Sequence, residues 1–251
     1  MRTLITGVAL ASAAALAVAA PAQAAPKDPL AAVKKQLVAG KGVSFTDTTT
    51  LVRESTGPEP FMKRTGRIMF GKGKIAAADL AATYQVKEGE SVFKNDRTII
   101  VGKTAYVSGG IYRENLPKGK TWRKSDHTGS SSWFSQPINP VEPATLKKLL
   151  AKAERTSNGY QGTITFDQLK KVSPWFRMSV PLYMEPKTEV DWRLTVSRSG
   201  VPQRLVSSYD AEGLIGWQGV TVKNDTTYRG WGAKVTIKAP TAGKVAPKSK
   251  D

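Results

Sequence analysis

The arrangement of two hydrophobic periodicities constrains the fold of this chain more than any other feature. Long stretches alternate apolar and polar residues with a period of two, as in Val43–Leu51 and Val190–Val196, which is typical of half-buried β-strands. Helical spacing is confined mainly to residues 28–37 and 143–154. Runs of strands separated by one helix do not follow the alternation of parallel βαβ units. We therefore predict an α+β fold, in which helices cover one face of a strongly curved antiparallel sheet.

Turn residues divide the alternating stretches into short strands. A turn is predicted at Gly57–Pro60, a long polar connection at 125–143, and a short helix at Phe166–Val172. The predicted strands cover residues 43–51, 63–70, 74–87, 91–94, 98–101, 104–108, 120–124, 159–166, 190–197, 201–209, 213–223, 226–229 and 234–238.

The first 25 residues have the composition of a secretory signal peptide. A basic start is followed by an uncharged, alanine-rich run and a small-x-small site, which places cleavage between Ala24 and Ala25. The alternative is a retained membrane helix, but the run is at the short limit for a bilayer. We expect a cleaved signal at 1–24, a single domain at 25–240 and a basic, disordered tail at 241–251. The chain contains no cysteine, so packing and sheet hydrogen bonds must stabilise the fold outside the cytoplasm without disulfides.

The chain is strongly basic, with a formal net charge of +18. Such a protein is drawn to polyanions, so an anionic membrane or cell-wall surface is an expected partner. The basic residues are scattered along the sequence, and neither a contiguous stripe nor a nucleic-acid-binding motif is found. We therefore expect no nucleic-acid partner, while the charge alone leaves the oligomeric state open.

The sequence offers little catalytic chemistry. The one histidine, His127, lies in a Gly/Ser-rich stretch that does not provide the rigid frame a Ser–His pair requires. One histidine without cysteine excludes the usual zinc sites, and no cofactor motif is found. Acidic residues such as Asp191 alternate outward on predicted strands, which indicates solvated carboxylates rather than a glycosidase pair. We predict a protein that is not an enzyme and binds no cofactor or metal.

The apolar face of the third predicted strand is unusually small. Alanines stand where a filled core usually has Val or Leu, so this face either leaves an apolar cavity or lies close against a helix. The residues predicted to line the cavity are Phe45, Ala76, Ala78, Leu80, Ala82, Tyr84, Leu146, Leu150, Trp192 and Leu194.

Five sequence pieces, in order, resemble the LolA/LppX-like group of extracytoplasmic lipid and lipoprotein carriers. They are Val101–Val107, Leu116–Trp122, Asn139–Leu150, Asp191–Arg204 and Tyr228–Pro240. The resemblance implies a curved half-barrel with helices on its concave side and an apolar cavity that holds acyl chains or a lipidated segment. Many Gram-positive relatives carry a lipobox cysteine at the cleavage site, where this chain has Ala25. A lipid anchor of that kind is therefore not expected.

These observations predict a secreted, non-catalytic carrier or binder of a hydrophobic ligand, such as an acyl lipid or a lipidated molecule. The alternative is an interaction module with a filled core, which binds anionic envelope polymers or a protein partner through its basic surface. The two differ in whether the concave face is hollow.

Overall fold

A computed structural model describes residues 28–85, 94–113, 116–129, 132–179, 185–211 and 217–248. Within these residues one sheet contains all the strands, and four helices lie on one of its faces. The helices are α1 (Pro29–Gln36), α2 (Pro143–Leu150), α3 (Phe166–Val172) and α4 (Pro174–Ser179). The strands are β1 (Lys41–Arg53), β2 (Gly57–Gly71), β3 (Lys74–Tyr84), β4 (Asp96–Val101), β5 (Thr104–Gly109), β6 (Trp122–Ser125), β7 (Glu154–Thr156), β8 (Gly159–Thr165), β9 (Glu189–Val196), β10 (Pro202–Asp210), β11 (Val220–Lys234) and β12 (Val245–Ala246).

The sheet is open, with the order β12-β6-β5-β4-β3-β2-β1-β11-β10-β9-β8-β7. Neighbouring strands are antiparallel except for β12, which pairs with β6 in parallel. The predicted α+β class, with an open antiparallel sheet and helices on one face, is confirmed. We call the helix-covered side the inner face and the opposite side the outer face.

Local sequence explains where the helices begin. The Asp28 carboxylate accepts a hydrogen bond from the Leu30 backbone N–H, and Pro29 occupies the first turn of α1, as predicted. At α3, Thr165 and Gln168 form a reciprocal capping box. Helix α2 is shorter than predicted, because residues 154–156 leave the helical path and pair with β8 at the sheet edge.

The predicted turn at Gly57–Pro60 is wrong, because these residues are the first part of β2. The turn lies at 54–56 instead. Strand β3 pairs with β2 only from Met62 onward, so one edge of residues 57–60 has no strand neighbour. Prolines lack a donor and are tolerated at such an edge.

The carboxy-terminal part of the chain also differs from the prediction. Three short strands were expected between 213 and 238, whereas β11 is a single strand of 15 residues. A disordered tail was expected from residue 241, but β12 pairs with Trp122 and Arg123, and the Lys248 ammonium group contacts the Asp126 carboxylate. The tail is ordered there because it gains sheet hydrogen bonds and an ion pair. The predicted strand at 91–94 and the predicted signal peptide fall largely or wholly outside the described residues.

Candidate functional site

Nine of the ten residues predicted to line a cavity belong to, or pack against, one hydrophobic cluster on the inner face. Seven of them expose no more than 5% of their surface, Tyr84 exposes 9%, and Leu150 is half-buried. Ala76 is the exception. The β2–β3 register shifts between Met69 and Phe70, and this irregularity places the Ile75 side chain, rather than Ala76, against the cluster.

The nine residues belong to different parts of this one cluster. Ala78, Leu80, Ala82 and Tyr84 lie on β3, whereas Trp192 and Leu194 lie on β9. Four strands separate β3 from β9 in the sheet order. Leu146 and Leu150 belong to α2, which packs on β8 and therefore covers the same side as β9. We call the part of the inner face on β3–β5 the β3–β5 half, and a single cavity shared by β3, β9 and α2 stays a prediction.

A row of polar residues crosses the four strands that lie between β3 and β9. We call this row the polar strip; its members are Asp47, Thr49, Arg64, Ser207, Asn224 and Thr226, all buried. Buried polar groups are costly unless they are hydrogen-bonded, so these side chains require partners on the inner face.

The partners come from residues 132–142, which we call the covering segment. All of its residues except Trp133 are buried. The Ser207 hydroxyl donates to Gln136 Oε1 at 2.8 Å, and Gln136 Nε2 lies 3.3 Å from the Thr226 hydroxyl. The Thr49 hydroxyl lies 2.9 Å from the carbonyl oxygen of Phe134. The covering segment is therefore fixed to the sheet by hydrogen bonds along the polar strip.

An ion pair lies at the centre of the polar strip. Arg64 Nη2 and Nε lie 2.5 and 3.0 Å from Asp47 Oδ2, and both side chains are fully buried. The Arg64 guanidinium also lies over the rings of Phe45 and Trp175, 5.6 and 5.4 Å from their centroids. Two buried charges so closely paired are retained only where each compensates the other.

Glu142 joins the covering segment to α4. Its carboxylate accepts hydrogen bonds from the Ser173 hydroxyl at 2.5 Å, the Thr145 hydroxyl at 2.8 Å and the Trp175 backbone N–H at 2.8 Å. Burial nevertheless raises the pKa of Glu142 above its ordinary value, because these hydrogen bonds only partly offset the loss of water. The group is a structural anchor between two helices.

The β3–β5 half of the inner face is covered differently from the other half. Three of its buried side chains are alanines, Ala78 and Ala82 on β3 and Ala105 on β5, and they lie among larger residues such as Leu80 and Ile100. The backbone N–H of Gly129 donates to the Thr98 hydroxyl on β4 at 3.0 Å, so coil covers this half. On the β8 side, α2 and α3 provide the cover.

Aromatic residues close one end of the β3–β5 half. We call this group the aromatic cluster; its members are Phe61, Tyr84, Phe134 and Trp217. Phe61 makes edge contacts with the other three rings, at centroid distances of 5.4 to 6.0 Å. Phe134 stacks on Trp217 at 4.4 Å. Such pairs contribute about 0.5–1.5 kcal/mol beyond their buried area.

A small enclosed space lies beside the polar strip. It is lined by residues that include Phe45, Arg64, Gln136, Trp175 and Tyr228 and has a volume of about 10 Å³. That volume is at the lower limit for a single water molecule. Two larger grooves, of about 410 and 580 Å³, are open to solvent on the outer side of β8–β10 and have polar linings that share Asp191 and Ser208.

The polar strip and the covering segment were not predicted from sequence. A signal was present in β1, where Asp47 and Thr49 stand in the same alternating phase as Val43, Phe45 and Leu51. Polar residues at apolar positions of a strand require a buried partner, but the partner is remote in sequence. His127 is exposed. In the part of the chain that the structure describes, no group of three or more His, Asp or Glu residues is placed to hold a metal ion, and no helix is long and apolar enough to cross a membrane.

Comparison with solved structures finds similar folds. LprF from Mycobacterium bovis aligns over 85% of this chain and 96% of its own, with a TM-score of 0.41 and 14% identity. The lipoprotein LppX from Mycobacterium tuberculosis covers 84% of this chain and 98% of its own, with a TM-score of 0.36 and 14% identity. A LolA superfamily protein from Nitrosomonas europaea covers 83% of this chain and 93% of its own, with a TM-score of 0.30 and 10% identity.

No protein-family model matches the chain, and no curated protein matches it. At these low TM-scores and identities the likeness assigns no ligand, so the function has to be argued from the chain's own residues.

Proposed function

We propose that this protein is a non-catalytic carrier or binder of a hydrophobic ligand, such as an acyl lipid, that acts outside the cytoplasm without a lipid anchor. The observation that carries the proposal is the β3–β5 half of the inner face, where small side chains lie beneath coil. The ligand would occupy this half, beside Ala78, Ala82 and Ala105. We call this proposed binding region the ligand seat. It is smaller than the cavity predicted from sequence, and it excludes Trp192, Leu194, Leu146 and Leu150.

Binding would require that coil moves away from β3–β5, because the Gly129 backbone N–H is hydrogen-bonded to the Thr98 hydroxyl there. The polar strip allows this, since it fixes the covering segment to β1, β10 and β11 rather than to β3–β5. Residues 127–129 and the Phe134 ring would then separate from the sheet while Gln136 stays bound. Each methylene that replaces them contributes about 0.8 kcal/mol on burial, so a long acyl chain offsets the loss of the native contacts.

The experiment is a fluorescence titration of the delipidated protein with a long-chain fatty acid that carries a polarity-sensitive dye. Ala78→Leu adds volume to the proposed seat, and we expect it to lower affinity at least tenfold. Ala81→Leu is the matched control, because Ala81 lies on the same strand but is exposed on the outer face. Overpacking costs about 1–3 kcal/mol, so thermal unfolding must show that Ala78→Leu is folded. If a folded Ala78→Leu variant bound the dye-labelled fatty acid with the same affinity as the unchanged protein, the proposed ligand seat would be contradicted.

A second candidate is favoured by the small volume of the enclosed space. A filled inner face fits an interaction module that never takes up a ligand and binds anionic envelope polymers or a protein partner through its basic surface. The same titration separates the two functions. A saturable increase in dye fluorescence supports the carrier, and its absence at saturating dye supports the module.

A further inference from the structure

The lysines of this chain are scattered in sequence but gather at one end of the folded sheet. This end holds the start of β1, the β2–β3 and β4–β5 turns, the last turn of α1 and the end of β11. Backbone hydrogen bonds join them: Gly73 N–H donates to the Leu37 carbonyl, and Gly40 N–H donates to the Phe70 carbonyl. We call this surface the basic end; its lysines are Lys34, Lys35, Lys41, Lys72, Lys74, Lys103 and Lys234, all exposed.

The chain segments that form the basic end are free of acidic residues. The four segments that meet at the basic end, 29–46, 66–78, 97–113 and 226–240, contain no aspartate or glutamate. Basic residues on the outer face differ, because many are paired. Asp79 bridges Arg67 and Arg97, and Asp225 binds Arg204. The basic end therefore carries a concentrated positive charge.

An exposed apolar residue stands among these lysines. Val38 is 52% exposed and, of the described residues, is the more exposed of two large hydrophobic side chains that face solvent. It lies in the turn between α1 and β1, and its carbonyl accepts a hydrogen bond from the Lys41 backbone N–H. Lysines that surround a protruding apolar side chain combine the two interactions that bind peripheral proteins to membranes.

We infer that the basic end is a docking surface for a bilayer that contains anionic lipids. The lysines would lie at the head groups and Val38 would insert at the boundary with the acyl chains. Each lysine near an anionic surface contributes on the order of 1 kcal/mol, so several together produce measurable binding. An anionic polymer would satisfy the lysines but not Val38, and this difference favours the bilayer.

The inference does not depend on the proposed hydrophobic ligand, because docking uses exposed side chains, whereas Ala78 is buried on the inner face. If the unchanged protein bound the dye but not the anionic vesicles, only the docking surface would be overturned. If it bound the vesicles but not the dye, only the ligand seat would be overturned.

The test is sedimentation of the full chain with vesicles of phosphatidylglycerol and phosphatidylcholine, compared with vesicles of phosphatidylcholine alone. A variant with Lys35, Lys41, Lys72 and Lys74 each changed to Gln loses four charges from the basic end. We expect it to bind the anionic vesicles at least tenfold more weakly. The matched control changes Lys63, Lys124, Lys187 and Lys223 to Gln, which removes the same charge from exposed positions elsewhere. The control should retain most of the binding.

Val38→Ser distinguishes a bilayer from a soluble polyanion. We expect this variant to bind anionic vesicles several-fold more weakly and to bind polyphosphate as the unchanged protein does. Equal vesicle binding by the unchanged protein and by the four-lysine variant would overturn the docking surface. If the lysine variant lost both vesicle and polyphosphate binding while Val38→Ser lost neither, the surface would be a polymer site and the bilayer assignment would be wrong.

Discussion

The rings of Phe134 and Trp217 are stacked, with centroids 4.4 Å apart and planes 7° from parallel. Phe134 belongs to the covering segment, and Trp217 precedes β11. The Arg53 guanidinium lies over Trp217, 5.9 Å from the ring centroid. This stack joins the covering segment to the end of the sheet where the β3–β5 half would open.

We predict that Phe134 and Trp217 are energetically coupled. A double-mutant cycle with Phe134→Leu and Trp217→Leu should give a coupling free energy of about 0.5–1.5 kcal/mol in urea unfolding. A second cycle that pairs Phe134→Leu with Trp231→Leu is the control, because Trp231 contacts Phe70 and Tyr228 instead. The control changes should add to within about 0.5 kcal/mol. Additivity in both cycles would show that the stack does not stabilise the closed state.

The Asp47–Arg64 pair gives a second prediction. Arg64→Met should lower the free energy of unfolding by about 3–5 kcal/mol, because it leaves the Asp47 carboxylate buried without its counter-charge. The double variant Asp47→Asn/Arg64→Met should be more stable than Arg64→Met alone. Arg204→Met is the control, since the Arg204–Asp225 pair is exposed and such pairs contribute about 1 kcal/mol or less. A double variant less stable than Arg64→Met would contradict the account of the polar strip.

The raised pKa of Glu142 predicts a pH dependence. Because its folded-state pKa lies above the ordinary value of 4.5, folding takes up protons at this group. Its contribution to stability is therefore full below about pH 4.5 and is lost as pH rises through the folded pKa. The free energy of unfolding of the unchanged protein, relative to Glu142→Gln, should fall as pH rises from 4.5 to 7.

Asp79 supplies a reference of opposite sign. Burial raises the pKa of Asp79, but hydrogen bonds and charges from Arg97 and Arg67 outweigh burial and lower it. The contribution of Asp79 to the free energy of unfolding is present at pH values above its ordinary pKa of 3.8. It is lost as pH falls through the lowered pKa of the folded state. The difference between the unchanged protein and Asp79→Asn should thus decrease toward low pH. Both differences in free energy of unfolding can be measured by chemical denaturation across the same pH series. If the two differences changed with pH with the same slope, the opposite pKa shifts of Glu142 and Asp79 would be contradicted.

Periodicity predicted the sheet because each strand carries its own local signal. Residues 190–197 alternate as expected, and β9 with β10 forms the predicted hairpin. The helix at Asp28–Pro29 was predictable because capping depends on neighbouring residues. By contrast, Pro58 and Pro60 lie in a strand because β3 stops short of them, and a tertiary neighbour of this kind cannot be recognised from the local sequence.

The candidate site was predicted only in part, for the same physical reason. The small side chains of β3 were visible in the sequence, and Ala78 and Ala82 do face the inner side. What covers the inner face depends on pairings over long separations, such as Gly129 with Thr98 and Thr49 with Phe134. A polar residue in a strand indicates that a partner exists but not which residue it is. The cover of the inner face therefore emerges only in three dimensions.

The most direct measurement of the central claim is a native mass spectrum of the protein purified from its own host without detergent. The account predicts a population heavier than the bare chain by the mass of an acyl lipid. The heavier species should persist in Ala81→Leu and be absent from Ala78→Leu. A spectrum that contains only the bare chain, or one in which Ala78→Leu retains the added mass in full, would contradict a ligand seat on the β3–β5 half.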